Sequence, residues 1–487
     1  MERFAVCLAI VLSCSVWAVA NCWALEMPYS KTMFYSVHGE SVDEPENTMQ
    51  AFRFDIERGF PVEADLRVTA DGEVVCLFDA DAKRVAKIDK PVSECNWAGE
   101  LENANAGAWK EKYAHWPNTW IRRGYKIARL DELLKELPKG MKHRFRIRDG
   151  RPEARKAIDA VFARHPEFDR AQAVFVEEFG EKLTTERIIN DPVEAVKALK
   201  GGAKAIVSDS ASILYAKVEG YLASKEVKLE KKRFIAHRGD SEKLPENTLP
   251  AFKKALDGGF GVECDVYVSL DDVLFASHET DLNRKGNNLP PGKCTTNVFW
   301  KGELEFADAG AWKGPEFKGL RYARLDEVLD LADDDRLIVL DIKDRRYEKV
   351  MTAIKKAIDA HPKVTSKNLF LQGGDAHWIR RNMPGYGDVI VATSRRGFPR
   401  YAVPNPDIPK LAKTVDPKMY PCFSLMWDEQ IITKEFVDLL HARGIRLIVW
   451  IVNDPYFAFA ALNRGVDWVC GDRPCEMYEE MKKIQND

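Results

Sequence analysis

The sequence predicts an α/β protein in which a C-terminal TIM-type (β/α)8 barrel follows a truncated, incomplete copy of the same barrel. Two observations support this prediction. Short apolar runs alternate with amphipathic helical segments through the C-terminal half, a pattern typical of a parallel sheet wrapped by helices. Several motifs of the N-terminal half also recur about 200 residues later, which indicates that the chain contains two copies of one structural unit.

Nine apolar runs of the C-terminal half are candidate strands, namely RFIAH, GVECDVYV, VLFASH, LIVLDIK, NLFLQ, DVIVAT, CFSL, RLIVWIV and DWVCG. A unit of about 250 residues with this alternation closes naturally as an eight-stranded barrel. Nine runs are one too many, so we expect an extra or irregular strand. The segment YVSLDDV leaves no room for a helix between the second and third runs, so we expect the barrel to be locally irregular.

Three pairs of motifs define the two copies. They are GELENANAGAWK (99–110) with GELEFADAGAWK (302–313), ARLDELL (128–134) with ARLDEVL (323–329), and INDPVEAVKALKGGAKAIVSD (189–209) with VNDPYFAFAALNRGVDWVCGD (452–472). From Arg148 to Asn190 the first copy advances 42 residues, while the second advances 110 from Lys343 to Asn453. The first copy therefore lacks counterparts of DVIVAT and CFSL. Because strand number, tilt and shear of a barrel are linked, we expect it to be an incomplete or open barrel.

The start of the chain differs in composition from the rest. FAVCLAIVLSCSVWAVANCWAL runs from Phe4 to Leu25 without a charge and ends in small residues. This predicts a signal peptide at residues 1–24 and a secreted or periplasmic protein. An uncleaved membrane anchor is the alternative, since 22 uncharged residues could span a bilayer. The remaining chain divides into the truncated copy (25–223), a charged linker (224–232) and the complete barrel (233–487).

The composition excludes several classes of partner. The 73 Lys and Arg residues nearly balance 76 Asp and Glu residues, so a net charge of −3 predicts no nucleic acid partner. No second apolar run approaches membrane length, which predicts no stable membrane span after signal cleavage. The seven cysteines that would remain predict no disulfide framework, and no ligand spacing suggests zinc. The sequence does not fix the oligomeric state.

Polar residues of the second copy fall at the ends of its predicted strands, where barrel enzymes carry their chemistry. Glu263 and Asp265 are two apart on one strand, so both side chains point to the same face. Asp341 and Lys343 share a face in the same way. The candidate site residues are His237, Arg238, Glu263, Asp265, His278, Asp341 and Lys343.

These residue types suit the hydrolysis of a phosphodiester. The three carboxylates supply the hard oxygen ligands that a Ca²⁺ or Mg²⁺ ion prefers, and the ion would polarise a phosphoryl oxygen. Arg238 and Lys343 would neutralise phosphate charge, Arg238 through a bidentate fork. His237 and His278 titrate near neutral pH, so one can accept a proton while the other donates one.

The motifs HRGDSEKLPENTLPAFKKAL, GVECDV, SHETDLNR, ARLDEVLDL, LDIK, VWIVNDP and GVDWVCGDRP resemble those of the glycerophosphodiester phosphodiesterase family, in the family's order. The resemblance implies a barrel that hydrolyses glycerophosphodiesters to glycerol 3-phosphate and an alcohol, with one divalent cation. It implies an acid/base pair, two phosphate ligands and three metal ligands, which are respectively His237 and His278, Arg238 and Lys343, and Glu263, Asp265 and Asp341. The family usually has Glu where this sequence has Asp341, which puts the metal affinity and preference in question.

Two other functions stay open. A phospholipase-type or cyclising phosphodiesterase, in which a substrate hydroxyl attacks the phosphorus, could use the same two histidines. A non-catalytic glycerophosphodiester-binding protein is the alternative from a different class. Trp450, Asn453 and Asp472 also lie at late strand ends, but we leave them out of the catalytic set.

The first copy is predicted to be inactive. It retains His38, Glu63 and Asp65, but HGE replaces HRG, so it has no counterpart of Arg238. Phe78 stands where His278 is expected. Arg146 and Arg148 replace Asp341 and Lys343. Since two buried carboxylates without an ion need compensation, we hypothesise that Arg146 pairs with Glu63 or Asp65 instead of a cation. This copy would then serve as a structural partner or a recognition module.

Overall fold

A computed structural model describes residues 27–42, 44–107, 124–177, 187–285, 288–392, 408–428 and 431–487. The chain divides into two compact units, an N-terminal unit up to Glu219 and a C-terminal unit from Gly220 to Asp487. The predicted signal peptide (1–24) lies outside the described residues. No helix within the described ranges is long and apolar enough to cross a membrane. The seven cysteines within these ranges are all free thiols.

The N-terminal unit contains six strands in its described residues. They are β1 (Phe34–Ser36), β2 (Glu63–Val68), β3 (Val74–Cys76), β4 (His143–Ile147), β5 (Ala173–Glu177) and β6 (Ile206–Ser208). β1 pairs in parallel with β6, and β2, β4 and β5 form a parallel sheet to which β3 adds an antiparallel strand. A parallel bridge between Ser36 and Val62 joins the two sheets. Five described strands of this unit therefore run parallel.

Two helices of the N-terminal unit are amphipathic and begin at a capping side chain. The side chains of Thr48 and Asp191 accept hydrogen bonds from the first turns of the helices Met49–Glu57 and Pro192–Lys200. Pro192 occupies a first-turn position whose N–H would have no partner within the helix. The other described helices of this unit are Lys83–Ala86, Leu130–Glu136, Pro152–Ala163 and Ala211–Ala223, the last of which contains the boundary between the units.

The C-terminal unit is a closed parallel barrel of eight strands with one additional strand, as the sequence predicts. Its strands are β7 (Phe234–His237), β8 (Gly261–Val268), β9 (Leu274–Ala276), β10 (Ile338–Ile342), β11 (Leu369–Gln372), β12 (Asp388–Ala392), β13 (Cys422–Met426), β14 (Arg446–Trp450) and β15 (Trp468–Gly471). The barrel closes through β15 and β7, and β10 pairs directly with β8. β9 is the extra strand. It runs antiparallel to β8 after a tight turn, which is the irregularity expected at YVSLDDV.

Two apolar layers hold this barrel together. Side chains that point inward fill its interior, among them Ile235, Val339, Phe370 and Ile448. Side chains that point outward pack against the surrounding helices, because successive residues of a strand face opposite sides. These helices are Leu249–Asp257, Leu325–Leu329, Tyr347–Ala360, Ala376–Asn382, Ile408–Thr414, Lys434–Ala442, Pro455–Asn463 and Pro474–Asn486.

Candidate active site

The barrel brings the predicted carboxylates together at the C-terminal ends of two neighbouring strands. β8 carries Glu263 and Asp265, and β10 carries Asp341 directly opposite Asp265 in the parallel register. Each of the three carboxylates offers an oxygen within 4.8 Å of the other two. Asp341 reaches this cluster although its side chain is one methylene shorter than the Glu of the family. The predicted trio is therefore one site.

The electrostatics of the trio favour a bound cation. Glu263 and Asp265 are buried and Asp341 is half-buried. Burial, together with the negative charges of Asp265 and Asp341, raises the pKa of Glu263 well above its usual value. A divalent ion among these oxygens would relieve that repulsion. The donor set of three carboxylates therefore fits a hard cation such as Ca²⁺ or Mg²⁺.

Both predicted cationic residues point at the same carboxylates. The Lys343 Nζ lies 2.6 Å from Asp341 Oδ2 and 3.2 Å from Asp265 Oδ1. The Arg238 Nε lies 3.2 Å from Asp265 Oδ2. Burial alone would raise the pKa of Asp265, but Lys343 and Arg238 outweigh it and hold this pKa below its usual value. Asp265 is therefore ionised at the centre of the site.

Both predicted histidines lie close enough to Asp265 to lower its pKa. The Nδ1 of His237 is 2.7 Å from Asp472 Oδ1, and its Nε2 is 3.9 Å from Glu263 Oε2. Burial lowers the pKa of His278, and the nearby Arg238 guanidinium adds to this effect. All seven predicted residues thus surround one centre.

Four polar residues that sequence reasoning left out also support the site. Asn247 donates to Asp265 Oδ2 over 2.8 Å, and Gln372 donates to Asp341 Oδ2 over 3.0 Å. Glu246 holds Arg238, and Asp472 holds His237. The motif PENT, present at residues 245–248 and again at 45–48, was a sequence signal for Glu246 and Asn247. Gln372 ends the predicted strand NLFLQ and Asp472 lies at a late strand end, but only the pairing of β11 with β10 and of β15 with β7 brings them to the site.

The predicted correspondence of His38 with His237 is wrong. Structurally, His38 occupies the position of Arg238. Both residues have a positive φ, 63° for His38 and 59° for Arg238. The carbonyl of His38 accepts the amide of Asn47 at 2.7 Å, and the carbonyl of Arg238 accepts the amide of Asn247 at 2.9 Å. The expectation that Arg238 has no counterpart is wrong for the same reason.

With this correction, the N-terminal site has no counterpart of His237 or of His278 among its described residues. Val37 precedes His38 and so stands at the position of His237. Phe78 stands at the position of His278, as predicted, and lies over His38 with ring centroids 4.7 Å apart. The His38 Nδ1 contacts Asp65 Oδ2. In the C-terminal unit, Arg238 faces the equivalent oxygen, Asp265 Oδ2.

Arginines compensate the two carboxylates that remain in the N-terminal site. Arg146 Nε donates to Glu63 Oε1 over 2.6 Å, and both side chains are only 1% exposed. This confirms the hypothesised pairing. Two further arginines complete it, since Arg148 Nε donates to Asp65 Oδ1 over 2.7 Å and Arg144 Nε lies 2.9 Å from Glu63 Oε2.

Comparison with known proteins identifies the family. The sequence model of the glycerophosphoryl diester phosphodiesterase family matches residues 38–206 and 237–372, together more than half of the chain. A glycerophosphodiester phosphodiesterase of Caldanaerobacter subterraneus is 38% identical over 130 residues, which are 25% of this chain and 52% of that protein. The chain therefore spans about half the length of this relative. A second, from Bacillus altitudinis, is 28% identical over 261 residues, which are 51% of this chain and 99% of that protein.

Among solved structures, an Oleispira antarctica phosphodiesterase in complex with the product sn-glycerol-3-phosphate is 21% identical. The match covers 54% of this chain and 99% of that one, with a TM-score of 0.43. The family match over more than half of the chain agrees with the motifs of the C-terminal unit. The chain belongs to the glycerophosphoryl diester phosphodiesterase family of enzymes.

Proposed function

We propose that the C-terminal barrel hydrolyses glycerophosphodiesters to glycerol 3-phosphate and an alcohol, with the help of one divalent cation. The observation that carries this proposal is the convergence of the acidic trio, two cationic side chains and two histidines at one end of the barrel. Family membership supports the reaction class.

The cation would be held by Glu263, Asp265 and Asp341. When bound, Ca²⁺ or Mg²⁺ would supply Lewis-acid polarisation of a phosphoryl oxygen and neutralise developing charge. Lys343 now neutralises part of the trio from 2.6 Å and 3.2 Å away. Its ammonium is therefore already close to where the phosphate of a substrate would meet the carboxylates.

Arg238 and Lys343 bind the phosphate in this proposal. Arg238 is held in place by Glu246, 3.2 Å from its Nη1, as well as by Asp265. This orientation leaves the planar guanidinium facing the centre of the site, where it can contact two phosphate oxygens at once. Lys343 reaches the same centre from β10 and acts as a point charge.

The histidines transfer protons in this proposal. One accepts a proton from the attacking water as its oxygen forms a bond to phosphorus. The other donates a proton to the leaving alcohol oxygen as the bond between phosphorus and that oxygen breaks. His237 and His278 suit these roles because they approach the acidic trio from different strands, β7 and the segment after β9.

The N-terminal unit is, we propose, a truncated and degenerate copy of this barrel without catalytic activity. Its described residues contain five parallel strands. Val37 and Phe78 stand where the histidines are needed, and Arg146 fills the place of a metal ligand. The unit is then a structural partner or a recognition module for the catalytic barrel.

We also propose that the protein is secreted or periplasmic. The support is the uncharged segment from Phe4 to Leu25 with the small residues near its end. N-terminal sequencing of the mature protein from the producing cell would test this. Cleavage after about residue 24 is the expected result, and an intact N-terminus in the membrane fraction would contradict it.

Turnover of a substrate panel tests the catalytic proposal. Glycerophosphocholine, glycerophosphoethanolamine, glycerophosphoglycerol and glycerophosphoinositol are each incubated with Ca²⁺, with Mg²⁺ and with a chelator. We expect chelator-sensitive release of linear glycerol 3-phosphate, measured by ³¹P NMR. A cyclic phosphate would favour the cyclising alternative, and binding without turnover of any substrate would favour a binding protein.

A further inference from the structure

A carboxylate outside the predicted set holds the first histidine of the site. His237 ends β7, and Asp472 follows β15, the strand that closes the barrel against β7. The His237 Nδ1 and the Asp472 Oδ1 are 2.7 Å apart. Although 235 positions separate the two residues in the chain, they are neighbours across the closing seam.

Asp472 is itself fixed by Asn453, which follows the preceding strand. Asn453 Nδ2 donates to Asp472 Oδ2 over 2.8 Å, and the Asp472 amide donates to Asn453 Oδ1 over 2.7 Å. One carboxylate oxygen is thus used by Asn453 and the other faces His237. Burial alone would raise the pKa of Asp472, but the hydrogen bonds from His237 and Asn453 lower it below its usual value. Asp472 is an acceptor at neutral pH.

We infer that Asp472 is a positioning residue that sets the tautomer and the ring orientation of His237. A carboxylate accepts only from a protonated Nδ1, so the neutral ring carries its lone pair on Nε2. That Nε2 lies 3.9 Å from Glu263 Oε2, on the side of the acidic trio. The proton-accepting atom therefore faces the reacting centre. This inference rests on the proposed function for its catalytic consequence.

The N-terminal unit contains the same Asn–Asp pair without a histidine. Asn190 Nδ2 donates to Asp209 Oδ2 over 2.6 Å, and the Asp209 amide donates to Asn190 Oδ1 over 3.0 Å. Val37 stands where His237 would be. The contacts to asparagine are thus a structural feature of both units, whereas the contact to a histidine exists in the C-terminal unit alone among the described residues. Asp209 is therefore a matched control for Asp472.

The test compares Asp472→Asn with Asp209→Asn in the full-length protein. Asparagine keeps the size of the side chain and the bonds to its asparagine partner, but it can present an N–H to His237 Nδ1. We expect kcat of Asp472→Asn to fall at least 10-fold, in the range of outer-shell partners of active-site histidines, with KM little changed. Asp472→Glu should recover part of the loss, and Asp209→Asn should keep wild-type kcat.

The tautomer of His237 can be measured directly, and it would not change if Asp472 had only a structural role. In ¹⁵N-histidine NMR spectra, the His237 signal is assigned by its loss in His237→Gln. We expect a protonated Nδ1 in the wild type and a protonated Nε2 in Asp472→Asn. Wild-type kcat in Asp472→Asn, or an unchanged tautomer, would overturn the inference. If the wild type hydrolyses no glycerophosphodiester, the proposed function fails while the NMR result still decides the inference about Asp472.

Discussion

The two units use one backbone arrangement for sites of opposite charge. In both, a Glu and an Asp two apart on a strand face a neighbouring parallel strand, and an asparagine from a PENT motif holds the Asp. The C-terminal site sets three carboxylates against an arginine and a lysine. The N-terminal site sets two carboxylates against three arginines.

The two sites differ in how their buried carboxylates are compensated. Glu63 is 1% exposed, so its charge cannot be left to water. Arg146, at the position of Asp341, places a positive charge 2.6 Å from Glu63 Oε1. Phe78 then covers the cluster, with the Arg148 guanidinium 4.7 Å from its ring centroid. The N-terminal carboxylates are therefore compensated by a closed internal network of three arginines.

We expect the largest difference in kcat between equivalent substitutions in the two units at the position of His278. We expect His278→Ala to lower kcat about 100- to 10,000-fold, because it removes one partner in proton transfer. The control is Phe78→Ala at the equivalent N-terminal position, which should leave kcat unchanged. Turnover of the best substrate of the panel measures both. Comparable losses in the two variants would contradict the assignment of catalysis to the C-terminal unit alone.

Removing one charge should affect the stability of the two units differently. Arg146→Met leaves Glu63 buried without its closest partner, and we expect a loss of about 3–5 kcal/mol in the free energy of unfolding. Asp341→Asn, the matched change, loses a contact to Lys343 but also relieves repulsion on Glu263, so we expect about 1 kcal/mol or less. Urea unfolding with a chelator present, followed by hydrogen exchange of peptides from each unit, measures both. Equal losses would show that Arg146 is not a substitute for a cation.

Calcium or magnesium should stabilise only the C-terminal unit. At an ion concentration 100-fold above Kd, binding adds about 2.7 kcal/mol to the free energy of unfolding. In hydrogen exchange, we expect the ion to increase the protection of peptides from β8 and β10 and to leave the protection of peptides from β2 and β4 unchanged. Asp341→Asn should weaken the gain. Protection of β2 that rises with the ion would mean that the N-terminal carboxylates still bind it.

Most of the barrel could be predicted from the sequence. All nine apolar runs of the C-terminal half are strands, since buried parallel strands are continuous apolar segments. The count of nine runs showed that one strand was additional to the eight of the barrel, and YVSLDDV showed where the alternation of strands and helices fails. Which run was surplus, and that it pairs antiparallel with β8, depends on the turn Ser269–Val273, where the Val273 amide donates to the Ser269 hydroxyl.

The site was predictable where its residues share a strand. Spacing by two residues placed Glu263 beside Asp265 without any knowledge of the fold. The correspondence of His38 failed because histidine was matched to histidine. The two PENT motifs, at 45–48 and 245–248, already pair His38 with Arg238, and the positive φ and the bond to Asn47 agree. Asp472 was noted at a late strand end but left out of the catalytic set, because its contact to His237 arises from closure of the barrel, which no local pattern contains.

A buried polar pair marks a further difference between the units. In the N-terminal unit, Ser36 Oγ donates to Asp55 Oδ1 over 2.7 Å and accepts the amide of Ala211 over 2.9 Å. The C-terminal unit has Ala236 and Ala255 at the positions of Ser36 and Asp55. It has proline at the position of Ala211, so there is no amide N–H to satisfy. The polar pair is therefore needed in one unit and absent from the corresponding place in the other.

This pair should give the N-terminal unit a modest pH dependence. Burial raises the pKa of Asp55 to about 7, above its unfolded value of about 3.9. The stabilisation from the protonated carboxyl is complete below the unfolded pKa and is lost as the pH rises through the folded pKa. Between pH 6 and pH 8 we expect a loss of about 1.4 kcal/mol in the free energy of unfolding.

Asp55→Asn removes the titrating proton and should flatten this dependence. The variant should be less sensitive to pH than the wild type by about 1.4 kcal/mol over the same interval. Urea unfolding at pH 6, 7 and 8, read through hydrogen exchange of β1 and β2 peptides, measures the difference. Peptides from β7 and β8 serve as the internal control, because Ala236 and Ala255 cannot titrate. A wild-type unit whose stability rises between pH 6 and pH 8 would show that Asp55 is ionised in the folded state.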